Sequence, residues 1–144
     1  MRAAAAVLLV LLALAGCGGD VQVDPPKPEG EAAAACGRLS GLLPATLDGA
    51  ERGSSTPASP YVAVWGGASI ALRCGVPRPA KMEPTDQLQE INGVGWFADP
   101  DHPTLFTAVA DPAYVEVTVG GEHSAPAVLA DLSGPIGKIS AQAG

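Results

Sequence analysis

The chain has 144 residues and a formal charge of −7 at pH 7, with 15 acidic residues against 8 Lys and Arg. This length suits one domain of ordinary size. Nucleic-acid binding requires Lys and Arg to neutralise phosphates, so the acidic balance argues against a nucleic-acid partner. Anionic lipid headgroups would also repel the chain, so electrostatic attraction does not explain an attachment to a membrane.

The beginning of the chain combines a signal peptide with a lipidation motif. Arg2 precedes residues 3–15, which are only Ala, Val and Leu, and this is the order of a secretory signal peptide. The apolar run is shorter than the ~20 residues that span a bilayer. It ends in Leu-Ala-Gly-Cys at residues 14–17, the pattern of a bacterial lipobox, in which the thiol of Cys17 accepts a diacylglyceryl group.

We therefore expect residues 1–16 to be removed and Cys17 to carry fatty acyl chains such as palmitate. Two acyl chains hold a protein stably, since each buried methylene contributes ~0.8 kcal/mol. The mature protein would lie on the outer face of the cell membrane with a formal charge of −8, because Arg2 is lost. The alternative is an ordinary secretory peptide with an incidental cysteine.

The remaining cysteines, Cys36 and Cys74, predict one disulfide. If Cys17 is acylated, they form an even pair in an oxidising compartment. The bond would close a loop of about 38 residues, to which chain entropy assigns roughly 4 kcal/mol of stabilisation. Two unpaired structural cysteines are the alternative.

Two segments are expected before the predicted sheet. Residues 17–30 are rich in Gly, Pro and charge without periodicity, which predicts a flexible tether to a single domain over residues 31–144. Apolar side chains then recur at helical spacing over residues 31–43, and Pro44 would end this helix. Cys36 lies on its apolar face.

Short apolar runs bounded by Gly and Pro predict the strands. Residues 61–65 and 69–74 flank a glycine pair and indicate adjacent strands, the second with Cys74 on its apolar face. Residues 91–97 indicate a glycine-broken strand, and residues 105–109 and 114–119 indicate two more.

A last helix is predicted over residues 126–132, with Ser124 as its cap. Gly134-Pro135 would break or kink it. The order of elements predicts an α+β fold, a small mostly antiparallel sheet with an N-terminal and a C-terminal helix packed on it.

Three groups of residues carry a resemblance to a known family. They are Ala35-Cys36 with Leu42-Leu43-Pro44, Trp65-Gly66 with Ile70-Ala71-Leu72-Arg73-Cys74-Gly75-Val76-Pro77, and Asn92-Gly93-Val94-Gly95-Trp96. Over residues 32–132 the chain resembles the actinobacterial domain-of-unknown-function family 3515, and the Leu-Arg-Cys-Gly-Val segment is the most specific part. The resemblance implies a small envelope protein, held by a signal anchor or lipid, of unassigned activity.

Two positions depart from the family pattern. The position of Gly95 is often acidic in the family, and an arginine often stands where this chain has Ala110-Asp111. If either residue belongs to a family site, this chain lacks part of it. The high content of Ala, Gly and Pro fits an actinobacterial source.

Candidate catalytic and metal-binding groups are few. Asp99, Asp101 and His102 are chemically able to bind a metal, but the adjacent prolines make a turn the simpler interpretation. His102 and His123 are the only histidine bases, and neither lies in a recognisable motif. We therefore predict no catalytic residue, no metal and no cofactor.

Trp65, Arg73 and Trp96 form a candidate binding surface, since aromatic rings with a polar atom suit carbohydrate and peptide ligands. Alternatively, the tryptophans fill the core and Arg73 pairs with Glu116 or another acid across the sheet. The expected function is a non-catalytic binding or accessory module for an envelope protein or a cell-wall component.

The alternative function is a lipid-anchored enzyme of an unrecognised type acting on an envelope substrate. A histidine within hydrogen-bond reach of a Ser, Asp or Glu in a pocket would favour the enzyme. The sequence leaves the oligomeric state open.

Overall fold

The computed structural model describes residues 20–141, so the predicted signal peptide and Cys17 lie outside the described residues. The described part contains two helices and ten strands. They are β1 (Val21–Gln22), α1 (Gly30–Ser40), β2 (Thr46–Leu47), β3 (Ala50–Glu51), β4 (Ser55–Thr56), β5 (Val62–Trp65), β6 (Ile70–Val76), β7 (Gln89–Ile91), β8 (Val94–Ala98), β9 (Leu105–Ala110), β10 (Ala113–Val119) and α2 (Ala125–Ala141).

Six strands form the main sheet, in the order β5-β6-β10-β9-β8-β7. Every neighbouring pair in it is antiparallel. Both helices pack on this sheet and on each other, α1 over β6 and β10 and α2 over β7 to β10. The predicted α+β class with a mostly antiparallel sheet is confirmed. Two short pairs, β1 with β4 and β2 with β3, lie outside the main sheet.

The core lies between the main sheet and the two helices. Successive side chains of a strand point to opposite faces, and β6 and β10 each alternate buried with half-buried residues along their whole length. The buried side chains of α2 complete the core from the other side, namely Val128, Leu129, Leu132, Ile136 and Ile139.

A disulfide joins Cys36 of α1 to Cys74 of β6, as predicted. Both cysteines are buried, and their Cα atoms are 5.6 Å apart. The bond fixes the first helix to the second strand of the sheet, across 38 positions of sequence.

Three predicted elements have different bounds in the structure. The first helix, predicted over residues 31–43, ends at Ser40. The segment 91–97 is a hairpin, because Asn92 and Gly93 adopt positive φ and turn the chain between β7 and β8. The last helix passes through Pro135 and ends at Ala141. Proline removes one backbone hydrogen bond, but Leu132 and Ile136 are fully buried on either side of it, so packing holds both halves of α2 in place.

Residues 20–28, which we call the strap, correct the prediction of a flexible tether. Val21–Gln22 pairs in parallel with β4, and the Val23 N–H donates to the carbonyl of Thr56 at 3.2 Å. Pro26 is buried. The strap lies on the face of the main sheet opposite the helices, so the sheet is covered on both faces at β6.

Two residues of β6 hold the strap. The Arg73 Nε donates to the carbonyl of Asp24 at 3.0 Å, and its Nη1 pairs with Glu116 of β10 at 3.0 Å. Gly75 has a φ of +91°, and a Cβ added to it would lie 2.5 Å from the Cβ of Pro28. Gly75 therefore permits a close approach that any larger residue would prevent.

We predict that Gly75→Ala detaches the strap. Alanine is forced into the left-handed region, which costs about 1–2 kcal/mol, and its methyl group overlaps Pro28. Hydrogen exchange at the Val21 and Val23 amides should become faster than in the native protein. Gly67→Ala is the matched control, since Gly67 also has a positive φ but nothing lies within 4 Å of its added Cβ; equal protection in the two variants would contradict the prediction.

Candidate functional site

The structure does not bring Trp65, Arg73 and Trp96 together on one surface. Both tryptophans point to the helix side and are 0% and 2% exposed. Their indole N–H groups donate to the Pro44 carbonyl and to the Ser133 hydroxyl, each at 3.0 Å. Arg73 points to the opposite face. The predicted binding surface is therefore wrong, and the alternative that the tryptophans belong to the core is correct.

Arg73 makes the cross-strand pair that was expected with Glu116. The two residues lie opposite each other in the register of β6 and β10. Their side chains are 32% and 23% exposed, so the pair is partly shielded from water. The second contact of Arg73, to the strap, gives it a structural role that the sequence did not indicate.

Asp99, Asp101 and His102 form a turn. The Asp99 Oδ1 accepts the backbone N–H groups of Asp101 and His102 at 2.8 and 3.0 Å. These hydrogen bonds, the first above all, hold the pKa of Asp99 below its usual range. Within residues 20–141 no group of three or more His, Cys, Asp or Glu is arranged to hold a metal ion.

Ser69, His123 and Asp48 form a hydrogen-bonded cluster that was not predicted. The Ser69 Oγ lies 2.9 Å from the His123 Nε2. The His123 Nδ1 lies 3.2 Å from the Asp48 Oδ2. The His123 side chain is 13% exposed. This is the order of contacts used by a serine nucleophile, its base and the group that orients the base.

Three turns bring the cluster together at one corner of the domain. Asp48 lies in the β2–β3 turn with a φ of 45°, where aspartate tolerates the left-handed conformation. Ser69 follows the β5–β6 turn, in which Gly66, Gly67 and Ala68 all have positive φ. His123 lies between β10 and α2.

The same cluster also has a structural role. The Asp48 Oδ2 accepts the Ser124 N–H at 2.9 Å, and Ser124 caps α2 through the Ala127 N–H at 3.4 Å. The Ser69 hydroxyl is also within 3.3 Å of the Trp65 carbonyl, to which it can donate. The hydrogen bonds from Ser124 first and His123 second hold the pKa of Asp48 below its usual range.

Chemically, the cluster allows two proton arrangements. If the His123 Nδ1–H donates to Asp48, the Nε2 is free to accept the proton of Ser69 as a general base would. If the Ser69 hydroxyl instead donates to the Trp65 carbonyl, its oxygen accepts a hydrogen bond from the Nε2–H of a doubly protonated His123. The first arrangement is the one that nucleophilic catalysis would need.

Two open grooves lie beside the loop of residues 77–88, which connects β6 to β7. One has a volume of about 440 Å³ and is lined by Lys81, Asp86, Gln87, Gln89, Trp96, Phe97, Ala98 and Pro100. The other, of about 290 Å³, is lined by Arg78, Met82, Glu83, Pro84, Asp86, Leu88, Val109 and Tyr114.

Leu88 also covers Gly95, where a Cβ would lie 2.9 Å from the leucine side chain. An acidic side chain at position 95 would therefore displace Leu88.

Sequence reasoning missed the cluster because its members are far apart. His123 is 54 positions from Ser69 and 75 from Asp48. The Asp48-Gly49 turn signal was visible in the sequence, and so was the turn at His123. Neither signal indicates which turns lie next to each other in the folded domain.

We predict that Asp48 contributes to stability above about pH 4 and that this contribution is lost in acid. A carboxyl whose pKa is lower in the folded state stabilises above its unfolded pKa of about 3.9 and ceases to do so as the pH falls through its folded pKa. Melting temperatures between pH 2 and 6 should therefore fall less steeply in Asp48→Asn than in the native protein. Asp131→Asn, on the exposed surface of α2, should keep the native slope. Parallel curves for all three proteins would refute this.

Comparison with known proteins identifies a family for this chain. None of the helices within residues 20–141 has the length and apolar character needed to cross a bilayer. No curated protein and no solved structure matches the chain. The family model described as "Protein of unknown function (DUF3515)" matches residues 2–143. The chain therefore belongs to the DUF3515 family.

Proposed function

We propose that this protein is a lipoprotein of an actinobacterial envelope, anchored through Cys17, whose domain is a non-catalytic binding or accessory module. The docked strap is the observation that carries the proposal. Its first residue, Asp20, follows Cys17 by three peptide bonds. The lipid and the folded domain would therefore be joined by a very short connection.

A short connection suits a module that works at the membrane surface. A flexible tether lets a domain search a volume that grows with its length. A strap that is paired with β4 and held by Arg73 instead keeps the domain next to its anchor. Partners within reach would be envelope proteins or wall components close to the membrane.

The non-catalytic role is supported by the contacts of the Ser69, His123 and Asp48 cluster. Asp48 joins the β2–β3 turn to the start of α2, and Ser69 has a carbonyl of its own turn as a partner. Asp48 and Ser69 thus each make a hydrogen bond that stabilises the fold. The two grooves beside residues 77–88 combine aromatic, amide and charged side chains, which suits recognition of a polar ligand.

We predict that Cys17→Ala leaves the protein without a lipid, either released from the membrane or retained as the uncleaved precursor. Without its thiol the chain has no site for the diacylglyceryl group, so it should not incorporate labelled fatty acid, and the cleaved form should leave the detergent phase in a detergent-partitioning assay. The double variant Cys36→Ala/Cys74→Ala is the control, since it removes two thiols and keeps the lipobox. Fatty-acid labelling of Cys17→Ala at the native level, or unchanged partitioning of its cleaved form, would exclude lipid anchoring at this residue.

A second candidate function is a lipid-anchored hydrolase, and the geometry of Ser69, His123 and Asp48 is what favours it. In such an enzyme the Ser69 Oγ would attack an acyl carbon while His123 takes its proton. The oxyanion that forms would need backbone N–H donors, and the two residues that precede Ser69 in its turn, Gly67 and Ala68, would be the candidates.

A fluorophosphonate probe distinguishes the two functions. A nucleophilic serine forms an O–P bond with the probe, fluoride leaves, and the histidine takes the hydroxyl proton. For the non-catalytic module we expect no labelling of the native protein. Labelling that is lost in Ser69→Ala and His123→Ala, but kept in the exposed-surface variant Ser54→Ala, would overturn that expectation and establish the hydrolase.

A further inference from the structure

We infer that the exposed loop of residues 53–60, which we call the charge-free loop, is the surface of the domain that lies against the lipid headgroups. This inference rests on the proposed anchoring through Cys17. It adds an orientation to that anchoring: one edge of the main sheet faces the membrane and the opposite edge faces away.

The position of the strap places the anchor beside this loop. β1 pairs with β4, which lies within the charge-free loop. The Thr56 hydroxyl donates to the Asp20 Oδ2 at 3.1 Å. Consecutive Cα atoms are ~3.8 Å apart, so three peptide bonds reach at most ~11 Å. The lipid on Cys17 must therefore enter the bilayer close to the charge-free loop.

The charge distribution favours the same surface. Residues 53–72 contain no Asp, Glu, Lys, Arg or His, although the mature chain has a formal charge of −8. Most residues of the charge-free loop are exposed. An anionic membrane repels acidic surfaces. The Asp20 carboxylate touches this loop at Thr56, but the loop itself adds no charge, so it can approach the headgroups at a lower electrostatic cost than the acidic parts of the domain.

The chemistry of the loop suits contact with headgroups. A shallow groove of about 190 Å³ lies there, lined by Arg52, Gly53, Ser54, Ser55, Ala58, Ser59, Val62 and Ala63. Serine hydroxyls and one guanidinium can donate hydrogen bonds to lipid phosphates. Arg52 lies at the border of the loop, over the ring of Trp65 at 5.9 Å.

The opposite edge of the main sheet would then face away from the membrane. β5 and β7 are the two edge strands of six. Five spacings of ~4.8 Å separate them, which is about 24 Å. The groove lined by Gln89 and Trp96 lies at the β7 edge, so it would be open to partners in the envelope.

Fluorescence quenching on vesicles tests this orientation. The lipidated full-length protein is reconstituted into vesicles that contain anionic phosphatidylglycerol and a headgroup-quencher lipid, and flotation is measured first. Ala58→Cys, in the charge-free loop, and Gln89→Cys, in β7, each carry the same fluorophore at an exposed position. We expect several-fold stronger quenching at residue 58 than at residue 89. Adding Gly75→Ala should reduce this difference, whereas Gly67→Ala should keep it.

The outcomes separate the orientation from the anchoring. Loss of flotation overturns the anchoring and the orientation together. Flotation with equal quenching at both positions, or with stronger quenching at residue 89, overturns the orientation alone. Residue-58 fluorescence that changes only when an envelope protein extract is added would assign the charge-free loop to a protein partner and would also overturn the inference.

Discussion

Strand β6 makes the contacts that hold α1 on one face of the main sheet and the strap on the other. Leu72 and Cys74 point to the helices, where Cys74 is bonded to α1. Arg73 and Gly75 point the other way, where one donates a hydrogen bond to the strap and the other lets Pro28 approach. The two-residue period of a strand thus places two unlike attachments on consecutive residues. In this chain, each residue of the Leu-Arg-Cys-Gly segment thus serves one face of the sheet.

The sequence predicted the features that depend on local patterns. Alternating apolar residues identified β6 and β10, and side-chain direction placed Cys36 and Cys74 on facing surfaces. It did not predict that α2 continues through Pro135, because the buried residues that hold both halves of the helix contact strands far away in the chain. The strap was missed for a similar reason. Its composition is that of a linker, and only the sheet beneath it makes it ordered.

The candidate sites show the same difference between features that follow from local patterns and features that depend on contacts distant in sequence. The pair of Arg73 and Glu116 was predicted because both residues lie on strands whose polar faces could be identified. For the tryptophans the sequence left two interpretations open, a binding surface and the core, and burial in the structure selects the core. The contacts between Ser69, His123 and Asp48 depend on how three turns meet, and no spacing in the sequence encodes that meeting. In the structure the cluster joins the β2–β3 hairpin, the main sheet and α2 into one corner.

For a protein anchored through Cys17 as proposed, the strap also bears on how long the domain would stay at the membrane. Extracellular proteases cleave preferentially at exposed, loosely held segments, and a linker between lipid and domain is a common place for such cleavage. Here the backbone N–H groups of Val21 and Val23 donate to the carbonyls of Ser54 and Thr56, and Pro26 is buried. A protease that cleaves within residues 21–26 would have to wait for the strap to open before it could bind. Shedding of the domain would then be governed by the stability of the contacts at Arg73 and Gly75.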